Sequence, residues 1–211
     1  MPDKGRIIQA GEEVAHPAFW SFAMNNPLHP GDALLLIDVQ RDFCAGGSLP
    51  VAEGDQIVDV LNRWIKLAEQ AHIPIIATRD WHPVGHISFK AQGGPWPEHC
   101  VQDTSGAAFH PALALPAEAV RVSKGTRFDE DAYSVFQNTG LASYLQHLNI
   151  RRLWVGGLAL DVCVNASIRD AQRLGFTVHL LAPATRAVDP KAGTQTLQAL
   201  RQAGVIIEEE A

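Results

Sequence analysis

The chain has 211 residues, 46% of them apolar and 19% charged, with a formal net charge of −6. That length suits one domain, and the acidic balance argues against a nucleic-acid partner, which would need a basic stripe. No apolar run approaches the ~20 residues of a membrane span, and the opening residues lead into no signal-type apolar core, so a soluble, cytoplasmic protein is expected.

Residues 1–31 carry no clear periodicity and are broken by Pro17, Pro27 and Pro30, with Phe19, Trp20 and Phe22 as an apolar cluster. They are expected to form an N-terminal arm that packs on the domain or on a second subunit, leaving 32–211 as the domain proper. Ala33 to Val39 is a continuous apolar run broken only by Asp38, the signature of a strand buried on both faces. A loop follows at Gly46-Gly47-Ser48-Leu49-Pro50. Asp55 is a plausible N-cap for a helix whose apolar residues, from Ile57 to Ala68, recur at helical spacing. Pro74 to Thr78 reads as a second strand.

The segment 81–118 is long, irregular and rich in proline, and it holds several histidines. Long irregular segments inside a domain are usually functional. Beyond it, strands are expected at Ala119–Val122, Arg152–Gly156, Thr177–Leu181 and Val205–Ile207. Helices are expected at Leu141–Leu148, Cys163–Leu174 and Ala192–Ala203. This alternation predicts a three-layer α/β/α fold around a mainly parallel, roughly six-stranded sheet. In such sheets a ligand sits outside the carboxyl ends of the strands. Asp38, Asp80, Lys124 and Cys163 all fall at or just beyond strand ends.

Two chemistries follow from these residue types. Asp80 and His82, on alternate positions, share one side of an extended backbone, and His99 comes from the distant loop. One carboxylate with two or three imidazoles suits zinc, iron or manganese rather than calcium. His86 is either a fourth ligand or a hydrogen-bond partner of one. Of the three cysteines, Cys44, Cys100 and Cys163, only the last meets a helix start just after a strand. Unpaired N–H groups and the helix dipole there favour thiolate and lower its pKa. Asp38 could take the thiol proton, and the Lys124 ammonium could stabilise the negative charges beside it.

The strings Leu36-Ile37-Asp38-Val39-Gln40-Arg41-Asp42-Phe43-Cys44, Thr78-Arg79-Asp80-Trp81-His82-Pro83, Trp96-Pro97-Glu98-His99-Cys100-Val101, Lys124-Gly125-Thr126 and Gly157-Leu158-Ala159-Leu160-Asp161-Val162-Cys163-Val164 resemble the motifs of the nicotinamidases, within the isochorismatase-like cysteine hydrolases. They occur in family order from residue 33 to about 207. The resemblance implies a catalytic triad of Asp38, Lys124 and Cys163, and one divalent metal ion on Asp80, His82 and His99, with His86 a further ligand in some members. Zinc is the first choice of metal, iron and manganese the alternatives. It implies that Phe43 and Trp96 flank a pyridine ring and that Tyr133 and Leu158 line the pocket. It also implies a cis peptide at Leu158–Ala159 and an oxyanion hole from the N–H groups of Ala159 and Cys163. The expected substrates are nicotinamide and its isostere pyrazinamide, with no nucleic acid or membrane partner and with a homo-oligomer as an open possibility. A related cysteine amidase acting on a carbamoyl or ureido substrate is the alternative. Leu160 and Gly85 depart from the common family pattern, and neither is a proposed reacting group.

Overall fold

The computed structural model describes residues 26–210. The expected arm, residues 1–31, falls for its greater part outside the described residues. The first strand, β1 (Asp32–Ile37), is buried along its whole length. Its side chains alternate: Leu34 and Leu36 join one apolar cluster, while Ala33, Leu35 and Ile37 join another on the opposite face. Past Asp32, whose carboxylate is taken up by Arg152 and Trp154, the strand fills two cores at once, which is why its apolar run is continuous.

Helix α1 (Ile57–Gln70) covers the first face with Ile57, Val58, Leu61, Trp64, Ile65 and Ala68. Asp55 does not cap it. A short 3₁₀ turn, Gly54–Gln56, takes that residue, and no side chain caps the helix start. Strands β2 (Ile75–Asp80) and β3 (Val120–Lys124) then extend the sheet on one side of β1. Helix α2 (Leu141–His147), strand β4 (Arg152–Leu158), helix α3 (Asn165–Arg173), strand β5 (Thr177–Arg186), helix α4 (Pro190–Gln202) and strand β6 (Ile206–Glu208) follow. Leu141, Leu145, Ile168, Ala171 and Leu200 bring α2, α3 and α4 onto the second face.

The six strands are ordered β3-β2-β1-β4-β5-β6, and every pairing is parallel. From β1 the chain builds outward to β2 and β3, then returns to build β4, β5 and β6 on the other side. The reversal opens a crevice above the carboxyl ends of β1 and β4. Strand β5 runs beyond the expected five residues, through Pro183. A register shift between Val155 and Gly157 of β4 accommodates the extension. The segment 81–118 contains little regular structure, but isolated bridges order it: Gln40, just past β1, pairs with Phe109, and within the segment His82 pairs with Val101 and Phe89 with Trp96. No helix among the described residues is long and apolar enough to cross a membrane.

Gly157 sets the closeness of β4 to β1 at this carboxyl edge. It holds φ at 128°, and a Cβ there would lie 2.0 Å from the Ile37 carbonyl oxygen. The neighbour is backbone and cannot swing aside. Gly157→Ala is expected to cost about 3 kcal/mol or more. In a domain of this size that lowers Tm by roughly 6–12 °C, which a thermal melt will read.

Candidate active site

The parallel sheet delivers four reactive side chains to one edge. Asp38 follows β1, Asp80 ends β2, Lys124 ends β3, and Cys163 lies in the turn after β4. All four are buried, Lys124 to 1% exposure. The Lys124 Nζ stands 3.0 Å from Asp38 Oδ2 and 3.4 Å from Cys163 Sγ. It also pairs with Asp80 Oδ1 and donates to the Ala132 carbonyl at 3.1 Å. Thr78 donates its hydroxyl to Asp38 Oδ1 at 2.8 Å. The other oxygen, Asp38 Oδ2, is buried and, among the described residues, has no donor at a hydrogen-bonding angle. A donor atom of Cys163 lies within 4.8 Å of carboxylate oxygens of both Asp38 and Asp80.

Burial governs the protonation of this group. It drives the Asp38 pKa up, an effect that Lys124 partly offsets and Asp80 reinforces. It drives the Cys163 thiol well up too, against the pull of Lys124. Burial also opposes charge on Asp80, yet the Lys124 ammonium outweighs it and holds that carboxyl below the usual range. At Lys124 desolvation is overcome by Asp38 and Asp80, so the ammonium persists. The resting thiol is therefore neutral. This corrects the expectation of a thiolate made by a helix N-terminus. Cys163 does not open α3; it lies in a five-residue π turn, Leu160–Val164, in which the N–H groups of Val162 and Val164 both reach the Ala159 carbonyl. The preceding peptide, Leu158–Ala159, is cis.

Beside the thiol, Asp80 Oδ2 faces His82 Nε2 at 3.7 Å and His99 Nε2 at 4.0 Å. These separations exceed a hydrogen bond. They are close to the roughly 3.4 Å between two ligands of a tetrahedral zinc ion with bonds near 2.1 Å. The tautomers agree with such an ion. The Nδ1 atoms of His82 and His99 meet the carbonyl oxygens of Gly125 at 3.0 Å and Pro97 at 2.8 Å. A carbonyl only accepts, so each Nδ1 carries the proton and each Nε2 turns a lone pair inward. Two lone pairs and a carboxylate oxygen meeting in a buried space call for a cation, and the trio fits a divalent metal. Without one, a proton is the substitute. Burial opposes it at His82, but Asp80 prevails and raises that pKa, whereas burial lowers His99.

His86 stands apart from the trio. Its ring stacks on His82, with centroids 4.3 Å apart. Its Nε2 meets the Glu130 carbonyl at 3.2 Å and its Nδ1 meets the Ser88 hydroxyl at 2.7 Å. Both nitrogens are engaged, which makes it a support for the His82 ring in this arrangement, although His82, His86 and Asp131 also bring donor atoms within 4.8 Å of one another.

Phe43, Trp96, Tyr133, Ala159 and Cys163 line one narrow cleft together with Asp80, His82 and His99. The Trp96 indole donates to the Tyr133 hydroxyl at 2.9 Å, and the Phe43 ring stands 5.6 Å from that of His99. Leu49, Val51, Val162 and Val188 complete the wall. Leu158 is the exception among the expected lining residues. Its side chain points into the apolar core and packs toward Gly54, with no exposure.

Several residues that order the site lie in the quoted strings, but the sequence assigned them no role. Gln40 accepts the Asp80 N–H at 2.7 Å and donates to the Asp80 carbonyl at 2.8 Å, clamping that residue from both sides. Asp42 accepts the N–H of Cys100 at 2.7 Å and of Ser48 at 3.1 Å, tying the His99 loop to the Phe43 turn. Gly125, besides its bond to His82, lies so close that a Cβ would sit 2.5 Å from the His82 ring.

A buried thiol with an adjacent base and ammonium, opening on an aromatic cleft beside a carboxylate–imidazole trio, is the equipment of a nucleophilic hydrolase. A family model described as the Isochorismatase domain matches residues 32–211. The chain is 38% identical over 201 residues to the nicotinamidase of Escherichia coli (strain K12), covering 84% of this chain and 94% of that one. It is similar to the structure of the pyrazinamidase of Pyrococcus horikoshii in complex with zinc, with a TM-score of 0.83 and 43% identity over 86% of this chain and 100% of that one. It is also similar to PnC1 from L. infantum in complex with nicotinate, with a TM-score of 0.77 and 39% identity over 84% of this chain and 91% of that one. The chain belongs to the isochorismatase family.

Gly125→Ala is expected to displace His82 and to weaken metal retention about 10–100-fold, read by titrating stripped protein with zinc. Metal is also expected to leave as the pH falls. Protons compete for the imidazoles, and the raised pKa of His82 starts that competition above the usual histidine range. Metal content after dialysis across pH 5–8 checks this.

Proposed function

We propose that this chain hydrolyses nicotinamide to nicotinate and ammonia through a thioester on Cys163. The observation that carries the reading is the convergence of Asp38 and Cys163 on the Lys124 ammonium, at 3.0 and 3.4 Å, on a cleft that also holds the Asp80, His82 and His99 trio. The names of the similar proteins support the same substrate class. Pyrazinamide, which presents the same carboxamide beside a ring nitrogen, is the second substrate.

In this reading Asp38 takes the thiol proton as Cys163 Sγ attacks the carboxamide carbon. The buried group carries two carboxylates and one ammonium. Moving a proton from sulfur to Asp38 leaves its net charge unchanged, so no charge enters the low-dielectric site. Lys124, in contact with both partners, stabilises the negative charge wherever it resides. The N–H groups of Ala159 and Cys163 are assigned to the developing oxyanion. The C–N bond then breaks, and Asp38 returns its proton to the departing amine as ammonia leaves. A water attacks the thioester, Asp38 accepts its proton and gives it back to sulfur, and nicotinate departs. Phe43 and Trp96 flank the ring, and Tyr133 lines its edge. A divalent ion held by Asp80, His82 and His99 would supply a Lewis acid for the pyridine nitrogen; zinc is our assignment, ahead of iron and manganese. Cys44, Cys100 and Cys163 are all free and buried, in keeping with a cytoplasmic protein. We divide the chain into an arm, residues 1–31, and the hydrolase domain, residues 32–211.

Ammonia release from nicotinamide is expected for the metal-loaded protein and is expected to vanish in Cys163→Ala. Asp38→Asn is expected to lose about 10²–10⁴-fold in kcat/KM. Release from carbamoyl or ureido compounds but not from nicotinamide would assign the chain to the related amidases instead. The pH profile is a separate check. Asp38 must be ionised to accept the proton, and its pKa is raised, so kcat/KM should climb with pH through a value above the ordinary carboxylate range of about 4. Because the thiol is pushed well up, no thiol-linked change is expected at the ordinary cysteine value of about 8.5.

A further inference from the structure

Asp161 stands two residues before Cys163 in the π turn and takes no part in the steps above. Its carboxylate grips the loop between β5 and α4: Oδ1 accepts the Val188 N–H at 2.9 Å, and Oδ2 accepts the Asp189 N–H at 3.0 Å. No lysine or arginine among the described residues forms an ion pair with it. Its use is as a double acceptor, which an amide side chain cannot reproduce because Asn offers one acceptor oxygen.

Both ends of this clasp reach the cleft. The turn contributes Cys163 and Val162, and the loop contributes Val188. The loop has little freedom beyond the clasp. Asp189 caps α4 by accepting the Lys191 N–H, and a Cβ on Gly193 would lie 2.6 Å from Ala187. The separation between nucleophile and Val188 wall is therefore set where the carboxylate joins them.

We propose that Asp161 is a positioning residue that fixes the Val188 wall relative to Cys163 and so limits the width of ring the cleft admits. The proposal rests on the hydrolase reading above. It requires that Asp161 act through Val188, which a double-mutant cycle measures.

The experiment compares wild type, Asp161→Ala, Asp161→Asn, Val188→Ala and the Asp161→Ala/Val188→Ala double variant. kcat and KM are measured on nicotinamide and on 5-methylnicotinamide, and Cys163 labelling is measured with iodoacetamide and with the bulkier N-ethylmaleimide. Asp161→Ala is expected to lower kcat/KM on nicotinamide about 10²-fold. It should shift the methylated-to-bare ratio about tenfold toward the methylated ring and raise the bulky-to-small labelling ratio in the same direction. Val188→Ala should shift both ratios alike, the double variant should shift them no further, and Asp161→Asn should lie between Asp161→Ala and wild type. Unchanged ratios in Asp161→Ala, or shifts that add in the double variant, overturn the proposal. If Asp161→Ala does not fold, the same ratios in Asp161→Asn decide it. The labelling ratio needs no turnover. A wild type inactive on nicotinamide whose labelling ratio still shifts would retire the substrate reading and keep the clasp.

Discussion

A lysine ammonium buried to 1% exposure is the constraint around which this carboxyl edge is arranged. Taking such a charge out of water costs several kcal/mol unless partners surround it. Lys124 has Asp38, Asp80, the Ala132 carbonyl and the Cys163 sulfur as partners. Each is supplied by a different part of the chain, so the ammonium is satisfied only when three strands and two loops are all in place. The same requirement that makes the residue costly makes the site a single unit.

Asp80 links that unit to its neighbour. One carboxylate oxygen faces the ammonium and the other faces the two imidazoles. The reacting half of the cleft and the half suited to a metal thus share one side chain, itself clamped by Gln40 through both of its backbone groups. A displacement on one side is transmitted to the other without an intermediary.

The fold was legible in the sequence because each strand of a fully covered parallel sheet must be apolar on both faces, and Ala33 to Ile37 and Leu153 to Val155 read plainly as such. The site residues were legible for a related reason: a charged side chain at the carboxyl end of a strand faces the edge where ligands bind, and Asp38 just after β1, Asp80 at the end of β2 and Lys124 at the end of β3 all hold such positions. What the sequence did not disclose depends on backbone partners distant along the chain. Gln40 finds the two sides of Asp80 forty residues away, Asp42 finds Cys100, and Asp161 finds a loop some twenty-seven residues later. An Asn, Gln or Asp serving peptide groups looks like any other polar residue in a loop. The protonation of Cys163 was misread for a similar reason. Its position near a helix start suggested a lowered pKa, but the depth of the crevice and the carboxylates that share it reverse the sign.

The turn that bears the sulfur has a further consequence for how this chain can vary. In an α-helix each residue advances the side-chain direction by about 100°. The π turn from Leu160 to Val164 holds one residue more than an α-helical turn would. Deleting Leu160 or Val162, which precede the nucleophile, is expected to let an ordinary helical turn form in its place and to swing the thiol by about 100° off the crevice. Apart from Cys163 and Asp161, the side chains of this stretch can vary more freely than its length: here the register of a single helical turn is held by the chemistry as well as by the stability of the fold.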